Sequence, residues 1–200
     1  MAYSPIEVGD LYDFPPNTTG AGETVGLIEL GGGFETADLN TFFQGLGIST
    51  PPQVTAISVD GAQNVPGGDT NGADPEVELD IEVVGAVAPG AAQRVYFAPN
   101  TDQGFMDAVS TAIQDTDVSL VSISWGQAES EYTGQTLTAF NQIFQDAVTL
   151  AKTVFDITIG NNGAFQAGPG WDAATGLGSP IGTALLADLS TPSSSTPSPS

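Results

Sequence analysis

The sequence predicts an α/β fold, a parallel sheet with helices flanking it. Three observations carry this. Short apolar and β-branched runs alternate along the chain with longer segments whose apolar residues recur at helical spacing. Glycine or proline closes most of those runs, as expected where strands leave a sheet. The 200 residues are 40% hydrophobic and 13% charged, which suits one domain with a sizeable core and shows no internal repeat.

Residues 25–30 are apolar and run into Gly31, so they read as a buried strand. Residues 36–46 place Leu39, Phe42, Phe43 and Leu46 at helical spacing and end at Gly47, an amphipathic helix. Residues 53–59 are a β-rich run. Residues 60–74 are rich in Gly, Asn, Asp and Pro and read as loop. Residues 94–98 form the next strand, bounded by Pro99. A helix over 104–113, a strand over 120–124 and a helix over 137–150 follow. The last of these carries Leu137, Phe140, Ile143, Phe144, Ala147 and Val148 on its apolar side. Beyond Lys152 the texture changes. Residues 155–178, rich in Gly, Asn and Asp, read as an ordered loop held by something other than a core, and 182–189 as a short final helix. Residues 190–200 contain only Ser, Thr and Pro after Ser190 and read as a disordered tail.

The charge is lopsided: 24 acidic residues face only Arg94 and Lys152, a net charge of −22. Such a surface repels nucleic acid and anionic membranes, and neither is expected as a partner. An acid environment, high salt or bound cations would each relieve the self-repulsion. No run of apolar residues is long enough for a transmembrane helix. The absence of cysteine leaves the redox compartment open.

The chain has no histidine and no cysteine. A Ser-His-Asp triad, a thiol nucleophile and a zinc-thiolate site are therefore excluded, and acid–base work falls to carboxylates. The densest carboxylate stretch is Asp74-Pro75-Glu76-Val77-Glu78-Leu79-Asp80-Ile81-Glu82-Val83-Val84. Its strict apolar/acidic alternation has the period of a strand, with all four acids after Pro75 on one face. If helical, it instead puts Glu76 and Asp80 on one face, one turn apart, where they can share a proton. An E-x-x-x-D pair without further context is an ordinary solvated acidic face.

The context here is specific. Glu76 through Val83 followed by Ala88-Pro89-Gly90-Ala91 resembles the Glu/Asp helix of the sedolisins, the serine-carboxyl peptidases. The likeness extends through Tyr3-Ser4-Pro5, Ile28-Glu29-Leu30-Gly31-Gly32-Gly33, Tyr96-Phe97-Ala98-Pro99-Asn100 and Ser122-Ile123-Ser124-Trp125-Gly126. It continues with Gln166-Ala167-Gly168-Pro169-Gly170-Trp171-Asp172 and Thr175-Gly176-Leu177-Gly178-Ser179-Pro180. Each motif is weak alone, but in this order they cover most of residues 2–189.

The resemblance implies an abbreviated subtilisin-like parallel sheet with flanking helices and a C-terminal calcium-binding loop. It makes 76–84 a helix, against the alternation. It implies acid-active proteolysis by a Ser-Glu-Asp triad, with Glu76 as general base, Asp80 orienting it, and Glu29 and Trp125 extending the network. Glu78 and Glu82 are then solvent-facing or supporting. One calcium ion would be held by Asp156, Ile157, Gly168, Gly170 and Asp172, a mixture of carboxylates and carbonyls that suits this hard cation. By the same resemblance, residues 2–152 are the N-terminal part of the peptidase domain, 153–189 its C-terminal calcium-loop segment and 190–200 a tail. Family members are secreted behind a signal and a propeptide; this chain shows neither. The partner is a peptide or protein substrate, and the chain is expected to be a monomer.

The family's nucleophilic serine lies in Ser-Gly-Thr-Ser, and its oxyanion aspartate in a Gly-Asp-Ser-Gly-like turn; neither sequence occurs here. The resemblance passes from the 137–150 helix directly to the calcium region at 154–158, as if an internal block were missing. Ser179 reads as an N-cap before the last helix. Three functions follow: a sedolisin-type endopeptidase by descent that is inactive as it stands; a non-catalytic calcium-binding module that holds peptide or protein; or a hydrolase recruiting another serine, Ser124 or Ser179.

Overall fold

Residues 3–70 and 72–156 are described by a computed structural model. At the N-terminus, α1 (Pro5–Leu11) starts from a capping box: the Ser4 hydroxyl accepts the Glu7 N–H, and the Glu7 carboxylate accepts the Ser4 N–H at 2.7 Å. This helix is not part of the compact unit Thr19–Ile157, which holds the remaining elements of the described residues.

That unit is built on five parallel strands: β1 (Thr24–Glu29), β2 (Val54–Ser58), β3 (Ala92–Phe97), β4 (Leu120–Ile123) and β5 (Thr153–Asp156). Their order is β2-β3-β1-β4-β5. The helices are α2 (Thr36–Gly45), α3 (Ala73–Val87), α4 (Asp102–Gln114) and α5 (Gly134–Thr149). A short 3-10 turn, Glu129–Glu131, precedes α5.

Strand alternation sorts the core into two layers. Val25 and Leu27 of β1 join Val95 and Phe97 of β3 under Leu39 and Phe43 of α2 and Val77 and Ile81 of α3. On the other face Ile28, Tyr96, Val121 and Ile123 pack under Phe105, Val109 and Ile113 of α4 and Phe140 of α5. Central β1 is thus covered on both sides, which is why its sequence reads as an unbroken apolar run. The strand order reverses between β1 and β4, because the connection leaving β1 runs toward β2 and that leaving β4 runs toward β5. The carboxyl ends of these two strands therefore frame the crevice in which open α/β sheets place their sites.

Most boundaries follow from caps. Thr101 accepts the Gly104 N–H and Thr133 the Thr136 N–H, so α4 and α5 each start a little earlier than apolar spacing alone indicates. The stretch from Ala73 to Val87 is helical, as the family resemblance requires and contrary to its alternation. One expectation is corrected: Phe155 and Asp156 are not loop but belong to β5, paired in parallel with Ser122 and Ile123 of β4. The expected helix over 182–189, the tail over 190–200 and the loop beyond 156 lie outside the described residues. No helix among the described residues is long and apolar enough to cross a membrane.

The two basic residues converge on the turn between α4 and β4. Arg94 of β3 pairs with Asp115 and Asp117, Tyr96 donates its hydroxyl to Asp115 at 2.6 Å, and Lys152 donates to the carbonyls of Asp115 and Val118. Burial pushes the Asp115 carboxyl up, but the Tyr96 and Arg94 hydrogen bonds outweigh it and hold it below the usual range.

Candidate active site

Helix α3 has no side-chain cap on Gly72; instead the Asp69 carboxylate accepts the Ala73 N–H at 3.1 Å, and the Asp74 carboxylate accepts the Asp69 N–H at 3.0 Å. Val77 and Ile81, both fully buried, fix the rotation of the helix against the sheet. Glu76 and Asp80 sit one position before them and so share the neighbouring stripe, one turn apart. Asp80 is buried and Glu76 half-buried.

Glu29 is the last residue of β1. It continues the face of Val25 and Leu27, which is the face α3 covers. It is 0% exposed, and the Trp125 indole donates Nε1–H to its Oε2 at 2.9 Å. Its other oxygen, Oε1, and Asp80 Oδ2 are both buried with no hydrogen-bond partner. Three carboxyls thus crowd one site, and the charges show it. Burial, opposed by the Trp125 hydrogen bond and aided by Asp80 and then Glu76, raises Glu29 to about 8. Burial and then Asp80 raise Glu76. Burial raises Asp80, with the Ser124 hydroxyl opposing the rise. Groups this close influence one another's titration, and Glu29 gives up its proton only at a pH well above its ordinary value.

Of these three, Glu76 lines a cleft of about 510 Å³, together with Gly31, Gly32, Asn100, Ser124 and Trp125. It opens at the carboxyl ends of β1 and β4, the crevice that the strand order predicts. A groove of about 550 Å³ between α4 and α5 holds Asp102 and Asp107 but none of the expected site residues.

Glu76, Asp80, Glu29 and Trp125, named from the sequence, are brought together. Glu78 and Glu82 are half-buried rather than solvent-facing. Burial raises both, Glu78 further through Asp38 and Asp74 and Glu82 through Glu78. Ser124, named from the sequence as a substitute nucleophile, lies beside Asp80; among the described residues no serine hydroxyl hydrogen-bonds to Glu76. Of the expected calcium set, Asp156 ends β5, while Ile157, Gly168, Gly170 and Asp172 lie outside the described residues, as does Ser179. Asp69 also lines the cleft. No local signal marks it, because in a loop rich in Gly and Asp it looks like any turn residue.

No protein-family model matches the chain. It is 51% identical to kumamolisin of Bacillus sp. strain MN-32 over 155 residues, 76% of this chain and 28% of that protein. It is 27% identical to sedolisin of Pseudomonas sp. strain 101 over 171 residues, 82% of this chain and 29% of that protein. Tripeptidyl-peptidase sed5 of Aspergillus fumigatus is 25% identical over 166 residues, 76% of this chain and 28% of that protein. Among solved structures, Pseudomonas sedolisin, a serine-carboxyl proteinase complexed with two molecules of pseudo-iodotyrostatin, matches with a TM-score of 0.64 at 25% identity. That match covers 78% of this chain and 44% of the other. The chain therefore spans under a third of the curated relatives' length. On sequence and fold together, it is a kumamolisin-like member of the sedolisin family of serine-type peptidases.

Proposed function

We propose that the cleft is the general-base half of an acid-working serine-type peptidase site, and that these 200 residues by themselves bind peptide without cleaving it. One observation supports this above others: Glu76 faces the cleft from α3 with Asp80 one turn behind it, in a cluster closed by the Glu29–Trp125 hydrogen bond. In such a site Glu76 takes the proton of an attacking hydroxyl, Asp80 fixes its orientation, and Glu29, protonated up to about pH 8, adds no third negative charge beside them. A carboxylate base stays ionised in acid where an imidazole is protonated, and the raised Glu76 accepts a proton once the pH approaches its own pKa. Turnover also needs a hydroxyl within reach of Glu76 and a donor for the oxyanion. The sequence lacks the family's Ser-Gly-Thr-Ser, and Ser124 lies beside Asp80 rather than bonded to Glu76.

Calcium belongs to the same proposal. Asp156, first of the expected ligands, stands at the carboxyl end of β5. Secretion belongs to it as well, since the acidity of the chain suits an acidic exterior. The test is digestion of a denatured protein between about pH 3 and pH 5, where a carboxylate base can work. No cleavage is expected. Steady cleavage abolished by Glu76→Ala would refute the inactive reading and favour a recruited serine.

A further inference from the structure

Strand β2 ends the sheet on one side. It pairs with β3 and, among the described residues, with no other strand. The bonds at its two ends show which way its backbone groups point. The Gln53 carbonyl accepts the Gln93 N–H at 2.8 Å, and the Val59 N–H donates to the Phe97 carbonyl at 2.9 Å. Odd-numbered residues therefore turn their N–H and C=O groups toward β3. The alternation of a strand turns those of Val54, Ala56 and Ser58 to the open edge. Thr55, Ala56 and Ser58 are exposed. Val54 is only partly covered by the α2–α3 layer, and Ile57 only partly by the α4–α5 layer. Both faces of the sheet are thus left unfinished at this edge.

Edge strands usually carry a charge, a bulge or an internal proline that keeps other chains off. Strand β2 carries none of these, and its register with β3 runs unbroken from Val54 to Ser58. It lies within residues 39–59, the longest stretch of the chain without a charged side chain. Over the whole chain, 24 acidic residues against two basic ones push copies apart. The β2 edge is where a second copy meets the least repulsion.

We propose that this edge pairs with β2 of a second copy, antiparallel and centred on Ala56, in place of the monomer expected from the sequence. The register selects the occupant. A two-fold axis beside Ala56 sets it against its own image, and sets Val54 against Ser58 of the partner subunit. These are the residues whose backbone groups are open, so each open donor meets an open acceptor. The ladder also stops by itself. Pro52 has no N–H to extend it, and Asp60 leaves the strand with φ +52°. In this register Asp60 stands opposite Pro52 of the partner subunit, not opposite its own image. The two Asp60 residues are separated by about 26 Å along the ladder, well beyond the screening length of about 8 Å at physiological salt. Only a second β2 brings the matching length and the matching stops. Antiparallel pairing places the two Glu76 clefts at opposite edges of the joined sheet, so both stay open.

Five residues of edge make a small interface, and the dimer should be weak and reversible. Sedimentation equilibrium up to about 1 mM chain, in about 0.5 M salt to screen the charge, reads it out. The average mass should climb with concentration from 20.3 kDa toward twice that value. Ala56→Pro removes an N–H that points to the open edge and leaves the bonds to β3 in place, so it should keep the fold and weaken pairing at least about tenfold. Ala56→Lys and Ala56→Glu should each stay monomeric, because like charges then face each other across the axis. An equimolar mixture of the two should associate again. Gln145→Lys on α5, the same charge change away from the edge, should dimerise as the wild type does. A wild type that stays monomeric throughout overturns the proposal. So does a dimer that survives Ala56→Pro in a folded chain, or a Lys/Glu mixture that stays monomeric. A labelled peptide of the 53–59 sequence that binds a chain unable to pair with itself would give the edge to extended peptides instead, and would also overturn it.

Discussion

Replacing Glu29 by glutamine should make the chain's stability far less sensitive to pH. The buried Glu29 carboxyl is held at about 8, against 4.5 for the free group. Below 4.5 both folded and unfolded chains carry the proton, and the folded state keeps the full benefit. As pH rises from 4.5 toward 8 the unfolded chain loses its proton first, so stability falls, and it levels off once the folded group also ionises. At 1.36 kcal/mol for each pH unit, the loss across that window is about 5 kcal/mol from this one residue. Glutamine cannot ionise, yet its carbonyl can still accept the Trp125 indole N–H. Urea unfolding followed by circular dichroism should therefore give wild type and Glu29→Gln within about 1 kcal/mol of each other near pH 4. Near pH 8 the variant should be the more stable by several kcal/mol. Self-repulsion of the −22 charge slopes both curves alike, so their difference isolates Glu29. Parallel curves, or a variant that is weaker at pH 8, would refute the reasoning.

Other outcomes follow from single contacts. Arg94→Gln frees Asp115 and Asp117 and should cost about 2 kcal/mol in urea unfolding at neutral pH. That cost should shrink in acid, because the depressed Asp115 carboxyl stabilises only while ionised and loses its contribution as pH falls through its folded pKa. Gly85→Ala in α3 would stabilise an exposed helix by about 1 kcal/mol. Here the new Cβ would lie 2.4 Å from the Phe43 ring and 2.8 Å from Pro52, so the melting temperature should fall, with a cost of about 1–3 kcal/mol. Calcium should raise the melting temperature over chelator, by the equivalent of about 2.7 kcal/mol at a hundredfold excess over Kd. Asp172→Ala should remove that rise, and an equal rise with magnesium would mark general charge screening instead.

Strands β1, β3 and β4 and helices α2, α4 and α5 were legible because their buried residues follow the apolar pattern of the sequence. Region 76–84 was not, for a reason visible in α3. Val77 and Ile81 face the core, while Leu79 and Val83 are exposed at 53% and 41% on the opposite side. A helix apolar on two opposed faces reads as alternation, and only the family resemblance assigned it correctly. Strand β5 was missed because its four residues, Thr153 to Asp156, include two polar ones and adjoin a Gly- and Asn-rich stretch. In the candidate site, Glu76 and Asp80 were found through their motif. That Glu29 would be sealed and neutral was not readable, since it depends on β1 ending beneath α3 and on Trp125 arriving from β4. The convergence of Arg94, Tyr96 and Lys152 on Asp115 joins residues far apart in sequence, and no local pattern announces it.

The central claim is that Glu29, Asp80 and Glu76 form one proton-sharing cluster. Isotope-edited NMR titration of their carboxyl carbons, in wild type and in Asp80→Asn, tests it directly. The account predicts that Glu29 titrates at about 8, that Glu76 titrates above its ordinary value, and that both midpoints fall when the Asp80 charge is removed. Three independent transitions in the ordinary carboxylate range, unchanged by Asp80→Asn, would contradict it.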